Sequence, residues 1–355
     1  MPRHGQSSMG AAPVLRKSQL LGILVTILCL GLAFYRVDLR GLLDALAAGN
    51  YVLVAPAALC TLSGYLLRTA RWRVILAEAV SCSFGTLFGI LMVGFAANNL
   101  LPARLGELAR AYLLRRRSGV RKSYLLASIF VERVFDGLVL VALLGGVSLV
   151  VDLPGWGREV EVLGGGLFVA VAIGVAAVML HPELFERVMS WTLKPFPTRM
   201  AHWTAGAFGA FLTGLNTMRR PGVLARTVLL SIAVWSLEWS SYFILSNAFQ
   251  LGLSTGQRAA ACGLLLAVVN LGIMLPSSPG YVGTFQFFAM AALSVFGVGP
   301  EVALALAILA HLTQYVLVTS IGLAFFGREH VSWRDLSADA GDEAEVEPLP
   351  SGVAC

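Results

Sequence analysis

The sequence predicts an all-α, polytopic helical membrane protein of about eight spans with re-entrant or broken helices. Three observations lead there. The 355-residue chain is 57% hydrophobic and 13% charged, with a mean hydropathy of +0.78; soluble domains carry about 25% charged residues. Apolar stretches near the length that crosses a bilayer, about 20 residues, recur at 19–35, 51–70, 134–151, 162–180, 224–247, 258–275 and 302–326. Two polar, helix-breaking runs interrupt apolar sequence about half a chain apart. The first is Asn98-Asn99-Leu100-Leu101-Pro102-Ala103-Arg104-Leu105-Gly106-Glu107, and the second is Leu275-Pro276-Ser277-Ser278-Pro279-Gly280. A charge at mid-bilayer costs about 2.5–3.5 kcal/mol on insertion scales. Broken backbone persists there only under cover of protein or around a water-filled cavity. Paired breaks of this kind point to a substrate site.

Residues 1–18 read as a cytoplasmic N-terminal segment. The first span, Gln19 to Tyr35, follows Arg3, Arg16 and Lys17 and lacks a small-residue cleavage site, so it is expected to be retained. Basic clusters orient the rest: Arg68, Arg71 and Arg73; Arg115 to Arg117 with Arg121 and Lys122; and Arg187, Lys194, Arg199, Arg219, Arg220 and Arg226. The positive-inside rule places them, and both termini, in the cytoplasm of a cell-membrane protein. A full crossing by 84–101 would put the Arg115–Lys122 cluster outside. The expectation is therefore a re-entrant hairpin in which 84–97 enters, the chain breaks at Asn98–Pro102, and 103–117 returns. A full crossing with a basic outer loop is the alternative. The apolar stretch 281–297 abuts the second break in the same way.

Phe208, Phe211, Leu212 and Leu215 have helical spacing in the otherwise polar 200–218 stretch, which is expected to lie on the membrane surface. Tyr35, Tyr51, Trp72 and Trp156 sit near span ends, as interfacial aromatics do. Segment 329–355 reads as an acidic disordered cytoplasmic tail, with six acids from Asp335 onward and no Lys or Arg. Its Asp339 and Asp342 read as solvated charge rather than as a metal site. Cys29, Cys60, Cys82, Cys262 and Cys355 are scattered, so neither a disulfide framework nor a zinc site is expected.

The breaks carry the chemistry. Pro102 suits a first helical turn, with Asn98 and Asn99 as possible caps. Arg104, Glu107 and Arg110 then recur every three residues on one face, with Gly106 among them. Ser278-Pro279 repeats the start signal, and Gly280, Gly283 and Gln286 follow at the same interval. A helix N-terminus carries about half a positive charge and free N–H donors, which makes it a seat for phosphate. Two such ends beside Arg104 and Arg110 would attract an anionic lipid headgroup. The competing reading is that Arg104 and Glu107 pair and lock the hairpin. Glu132, Arg133 and Asp136 open the 134–151 span and, with Arg71, line the same cavity or form a salt-bridge clasp. Glu238 lies deep in 224–247 on a face shared with Ser231, Trp235 and Tyr242. It is a proton-coupling or cavity-lining candidate, with pairing to an arginine as the alternative. His311 and Gln314 share a face of the last span; His311 is a further cavity candidate or a packing residue. No phosphate-binding nucleotide loop, no G-x-S-x-G and no H-E-x-x-H occurs.

These residues resemble the transmembrane domain of lysylphosphatidylglycerol synthases and the related stand-alone, flippase-like membrane proteins. The similar stretches are Arg68–Arg73, Asn98-x-x-x-Pro102-x-Arg104-x-Gly106-Glu107-x-x-Arg110, Glu132-Arg133-x-x-Asp136 and Pro276-x-x-Pro279-Gly280-x-x-Gly283, within roughly residues 15–328. The resemblance implies a lipid-handling domain over 19–328, without the soluble transferase domain of the synthases. The family usually has Pro-Gly-Gly-x-Gly-x-x-Glu where this chain has Pro279-Gly280-Tyr281-Val282-Gly283-Thr284-Phe285-Gln286. Tyr281 thus replaces a glycine and Gln286 a carboxylate. The expected function is a lipid flippase or transporter that moves an anionic phospholipid or a polyprenyl-phosphate-linked headgroup between leaflets. It is expected to be no enzyme and to need no cofactor, with membrane lipid and no nucleic acid as partner. The alternatives are an accessory subunit presenting lipid to a separate glycosyl- or aminoacyl-transferase, and an embedded lipid-modifying enzyme. The sequence is silent on oligomeric state.

Overall fold

A computed structural model describes residues 17–35, 37–101, 105–181, 217–274, 278–328 and 353–355, with a few isolated positions between 182 and 216. The architecture is all-α. The helices are α1 (Lys17–Phe34), α2 (Leu39–Ala47), α3 (Val54–Leu76), α4 (Phe84–Leu100), α5 (Gly106–Ser118), α6 (Lys122–Ser148), α7 (Gly155–Leu180), α8 (Pro221–Ser246), α9 (Thr255–Gly272), α10 (Thr284–Ser294) and α11 (Pro300–Phe326). Among the described residues, three segments are long and apolar enough to cross a membrane: Tyr51–Leu76, Pro221–Ser246 and Pro300–Phe326. Shorter apolar runs include Leu24–Phe34 and Phe84–Leu100.

Local signals explain the boundaries. Asp38 caps α2 by accepting from the Arg40 and Gly41 amides. The Ser83 hydroxyl accepts from the Thr86 amide and starts α4. Ser254 and Gln257 cap α9 reciprocally, and proline opens α8 and α11. Gly119, at φ 69°, ends α5 in the left-handed conformation.

The helices pack α3 on α8, α4 on α11 and α5, and α9 on α6 and α10. One apolar core joins α6, α8, α9, α10 and α11, and a second joins α4, α5 and the end of α3. Helices α4 and α5 pack against each other as a hairpin. Gly94 and Gly106 face each other, and a Cβ on Gly106 would lie 1.8 Å from the Gly94 carbonyl oxygen. The Asn98 Oδ1 accepts from the Gly106 amide at 2.9 Å, closing the turn side of the pair.

Several expectations change. Glu132, Arg133 and Asp136 do not open a span. They lie in the middle of the 27-residue α6, because apolar Tyr124 to Val131 continues the helix upstream of them. Trp72 is not interfacial: it is fully buried, and its indole N–H donates to the Ser128 hydroxyl at 3.0 Å. Tyr35 and Tyr51 are exposed, and the Trp156 side chain lies outside the described residues. Cys82 and Cys355 form a disulfide, with Cα atoms 4.8 Å apart, where the sequence offered no pairing signal. The contact is built by a short parallel pairing of Val80–Ser81 with Val353–Ala354. Residues 353–355 thus sit against Val80–Cys82, between α3 and α4, while residues 329–352 lie outside the described residues. So do Phe208, Phe211 and Leu215; Leu212 is buried.

Candidate functional site

Among the described residues, four arginines and three carboxylates form a connected network inside the bundle: Arg68, Arg71, Arg110 and Arg133 with Glu107, Glu132 and Asp136. Arg71 sits innermost, 1% exposed. Its Nη1 lies 2.6 Å from Asp136 Oδ1 and 2.8 Å from the Ser231 hydroxyl, and its Nη2 lies 3.6 Å from Glu132 Oε1. Glu132 also accepts from Arg110 Nη2 at 2.7 Å. Trp235 donates its indole N–H to Asp136 at 3.1 Å. Removing one partner from such a buried pair costs about 3–5 kcal/mol, because the other charge is left uncompensated.

Beside this network lies a cavity of about 150 Å³. Arg68, Glu107, Arg133 and Asp136 supply its charge, together with Asn98, Asn99 and His311 on its wall. Arg133 differs from the other arginines. Its side chain is 36% exposed, and its contacts to Glu107 (3.5 Å) and Asp136 (3.8 Å) are both longer than the 2.6 Å and 2.7 Å pairs that hold Arg71 and Arg110. It is the cation best placed to exchange a protein carboxylate for a ligand.

The two breaks meet at this cavity. A Cβ on Gly280 would lie 3.2 Å from the Asn99 carbonyl oxygen. The Asn99 amide donates to the Thr319 hydroxyl on α11 at 2.9 Å. Helix α1 braces the second break, where the Thr26 hydroxyl accepts from the Ser278 amide at 3.0 Å.

The helix termini differ from expectation. Pro279–Tyr281 makes one 3-10 turn, and regular helix begins only at Thr284. Gly280 and Gly283 have φ of 70° and 87°, so Gly280, Gly283 and Gln286 are no helix face. Gln286 closes the start of α10, accepting from the Gly283 amide at 2.7 Å. Its other end meets His311 Nδ1 at 3.0 Å, and His311 Nε2 meets the Gly280 carbonyl at 2.8 Å. A carbonyl only accepts. His311 therefore carries its proton on Nε2 and accepts from Gln286 on Nδ1. The histidine is a clamp on the second break that also forms cavity wall.

The arginine expected beside those termini is elsewhere. Arg110 is buried against Glu132 with its guanidinium 4.1 Å from the Trp72 ring centre, outside the cavity wall. Arg104 and Pro102 lie outside the described residues. Glu107 pairs with Arg133 on α6. Glu238 is buried and accepts from Gln314 Nε2 at 3.0 Å; no ion pair reaches it among the described residues.

Sequence reasoning did not select Tyr65, Arg68, Tyr281 or Asn270, all of which line the cavity. Tyr281 had a signal, because it stands where a helix-breaking run needs glycine. Its φ is 60°, the left-handed region in a non-glycine residue, which costs roughly 1–2 kcal/mol. Asn270 also had one, as an amide near the end of an apolar helix that runs into the second break.

A bundle of this kind, with apolar helices long enough to cross a membrane around a polar cavity, defines a multi-pass helical membrane protein. The chain belongs to the family described as Lysylphosphatidylglycerol synthase TM region, which it matches over residues 19–322. Among its relatives is a protein named Glycosyltransferase AglD from Haloferax volcanii, 28% identical over 328 residues. That match covers 85% of this chain and 52% of the relative, so the chain spans about half of that protein's length. A UPF0104 membrane protein of Methanothermobacter thermautotrophicus is 27% identical over 304 residues, covering 80% of this chain and 88% of that one. Another, from Methanocaldococcus jannaschii, is 26% identical over 242 residues, 64% of this chain and 92% of the relative.

Proposed function

We propose that the protein moves an anionic lipid headgroup, on a phospholipid or a polyprenyl phosphate, between the leaflets of the cell membrane. The observation that carries this reading is Arg133. Among the described residues it is the cavity-facing arginine whose side chain stays partly open, with ion pairs of 3.5 Å and 3.8 Å. A phosphate arriving there gains a planar fork of donors that suits its geometry. Among the described residues the network supports this with one arginine more than it has carboxylates. Structural pairs fix Arg71 and Arg110, and Arg133 is left for exchange. Glu238 is the coupling candidate, and Glu238→Gln should flatten the pH dependence of transport if a proton moves with the lipid.

The test is Arg133→Ala in purified protein. One charge-assisted hydrogen bond to phosphate contributes about 1.5–3 kcal/mol, so headgroup binding should weaken roughly ten- to hundredfold. Arg133→Lys should keep part of it, retaining charge without the fork. Unchanged binding in Arg133→Ala would remove the proposed anchor.

A second reading is that the domain presents its lipid to a separate transferase. The match to about half of a protein named a glycosyltransferase favours it. Copurification of a soluble transferase with the full chain, without leaflet translocation by the chain alone, would select it.

A further inference from the structure

The cavity is unusual for a site that meets only an anion. Among the described residues its charged lining is balanced, with Arg68 and Arg133 against Glu107 and Asp136, all within ion pairs. A bare phosphate would find as much negative as positive charge. A cationic aminoacyl headgroup would meet two guanidinium groups. A polyhydroxylated ring matches this mixture, because hydroxyls donate to carboxylates and accept from arginine.

The rest of the wall is amide and aromatic. The hydrogen bonds of Asn99 and Asn270 engage their amide NH₂ groups, and these bonds leave both side-chain carbonyls as acceptors. Gln314 adds a third amide. Tyr281, Tyr315 and Trp235 present rings to the same space. Aromatic rings offer flat apolar area with a polar tip, which suits the C–H face and hydroxyl rim of a sugar. An engineered cavity of about 150 Å³ admits one six-membered aromatic ring, so the cavity of about 150 Å³ here is on the scale of a single ring.

Tyr281 is the informative residue. Its backbone sits at φ 60°, held by the Tyr281 amide donating to the Ser278 carbonyl at 3.1 Å and the Thr284 hydroxyl donating to the Tyr281 carbonyl at 2.9 Å. Glycine takes this conformation without cost. A large side chain kept at such a position, on the wall of a cavity, is an outlier of the sort that accompanies ligand clamps.

We propose that the headgroup admitted here carries a single sugar ring, seated against Tyr281 and joined to its lipid through phosphate. This rests on the lipid-headgroup reading above and specifies its substrate class. Tyr281 acts as a specificity-determining residue, selecting glycosyl phosphate over glycerol phosphate, and Arg133 holds the phosphate they share.

The test uses the full chain in lipid nanodiscs and three soluble probes: a hexose 1-phosphate, glycerol 3-phosphate and inorganic phosphate. Binding is read by calorimetry. The hexose phosphate should bind about tenfold tighter than glycerol phosphate, a typical value for one well-placed aromatic contact. Tyr281→Gly should remove that difference and leave the binding of inorganic phosphate unchanged. Tyr281→Phe, with the ring kept, should preserve it. Equal affinity for hexose and glycerol phosphates in the native protein, or a preference that survives in Tyr281→Gly, overturns the proposal. A separate vesicle assay with a fluorescent glycerophospholipid distinguishes the two readings. Translocation without sugar preference would sink the sugar proposal alone. A Tyr281-dependent preference without translocation would uphold it and sink transport.

Discussion

Arg71 and Arg133 are both arginines on the same charge network, yet their surroundings assign them different work. Arg71 is enclosed by Asp136, Glu132 and Ser231. Arg133 keeps a partly open side chain on the cavity. Substitution should separate them. Glu132→Ala strands Arg110 inside the bundle, while Arg71 keeps Asp136, and should lower stability by about 3–5 kcal/mol, read as a large drop in thermal midpoint in detergent. Arg133→Ala should leave that midpoint nearly unchanged while headgroup binding falls. A large stability loss from Arg133→Ala with unchanged binding would place it among the structural pairs.

At the scale of elements, the hairpin of α4 and α5 depends on two glycines. A Cβ on Gly94 would lie 2.3 Å from Arg110 Cγ, and one on Gly106 would overlap the Gly94 carbonyl. Gly106→Ala should therefore force the helices apart at a cost of about 1–3 kcal/mol and displace Asn98 from the cavity wall. The check is thermal unfolding together with headgroup binding; wild-type values for both would show that the close approach is not needed. The hairpin was legible from sequence, because Asn98, Pro102 and Gly106 break an apolar run and a basic cluster follows. The meeting of the two breaks was legible too, since both interrupt apolar sequence in corresponding places. The destination of Arg110 was not. Periodicity placed it on the same face as Glu107 but could not show that the face packs on α6, where Glu132 and Trp72 receive it. Nor could it show that positive φ at Gly280, Tyr281 and Gly283 replaces the expected helical start. Both facts depend on partners far away in the chain.

At the scale of the whole molecule, the positive-inside rule predicts that Arg115–Lys122 and both termini face the cytoplasm. A cysteine introduced beside Arg116, after the native cysteines are replaced, should then react with an impermeant reagent only from the cytoplasmic side. Labelling from outside would contradict the hairpin orientation. The Cys82–Cys355 pair gives an independent check, because cytoplasmic thiols are kept reduced. Alkylation in intact cells should find both as free thiols, with the bond forming in purified protein under air. A disulfide already present in cells would put this end of the bundle in an oxidising compartment. The central claim, that the cavity carries a lipid headgroup across the bilayer, is tested most directly by leaflet exchange in vesicles. Purified protein should speed the exchange of a labelled anionic lipid well above protein-free vesicles, and Arg133→Ala, folded and at equal density, should lower that rate at least about tenfold. Exchange no faster than in protein-free vesicles, from protein that still binds the headgroup, would contradict it.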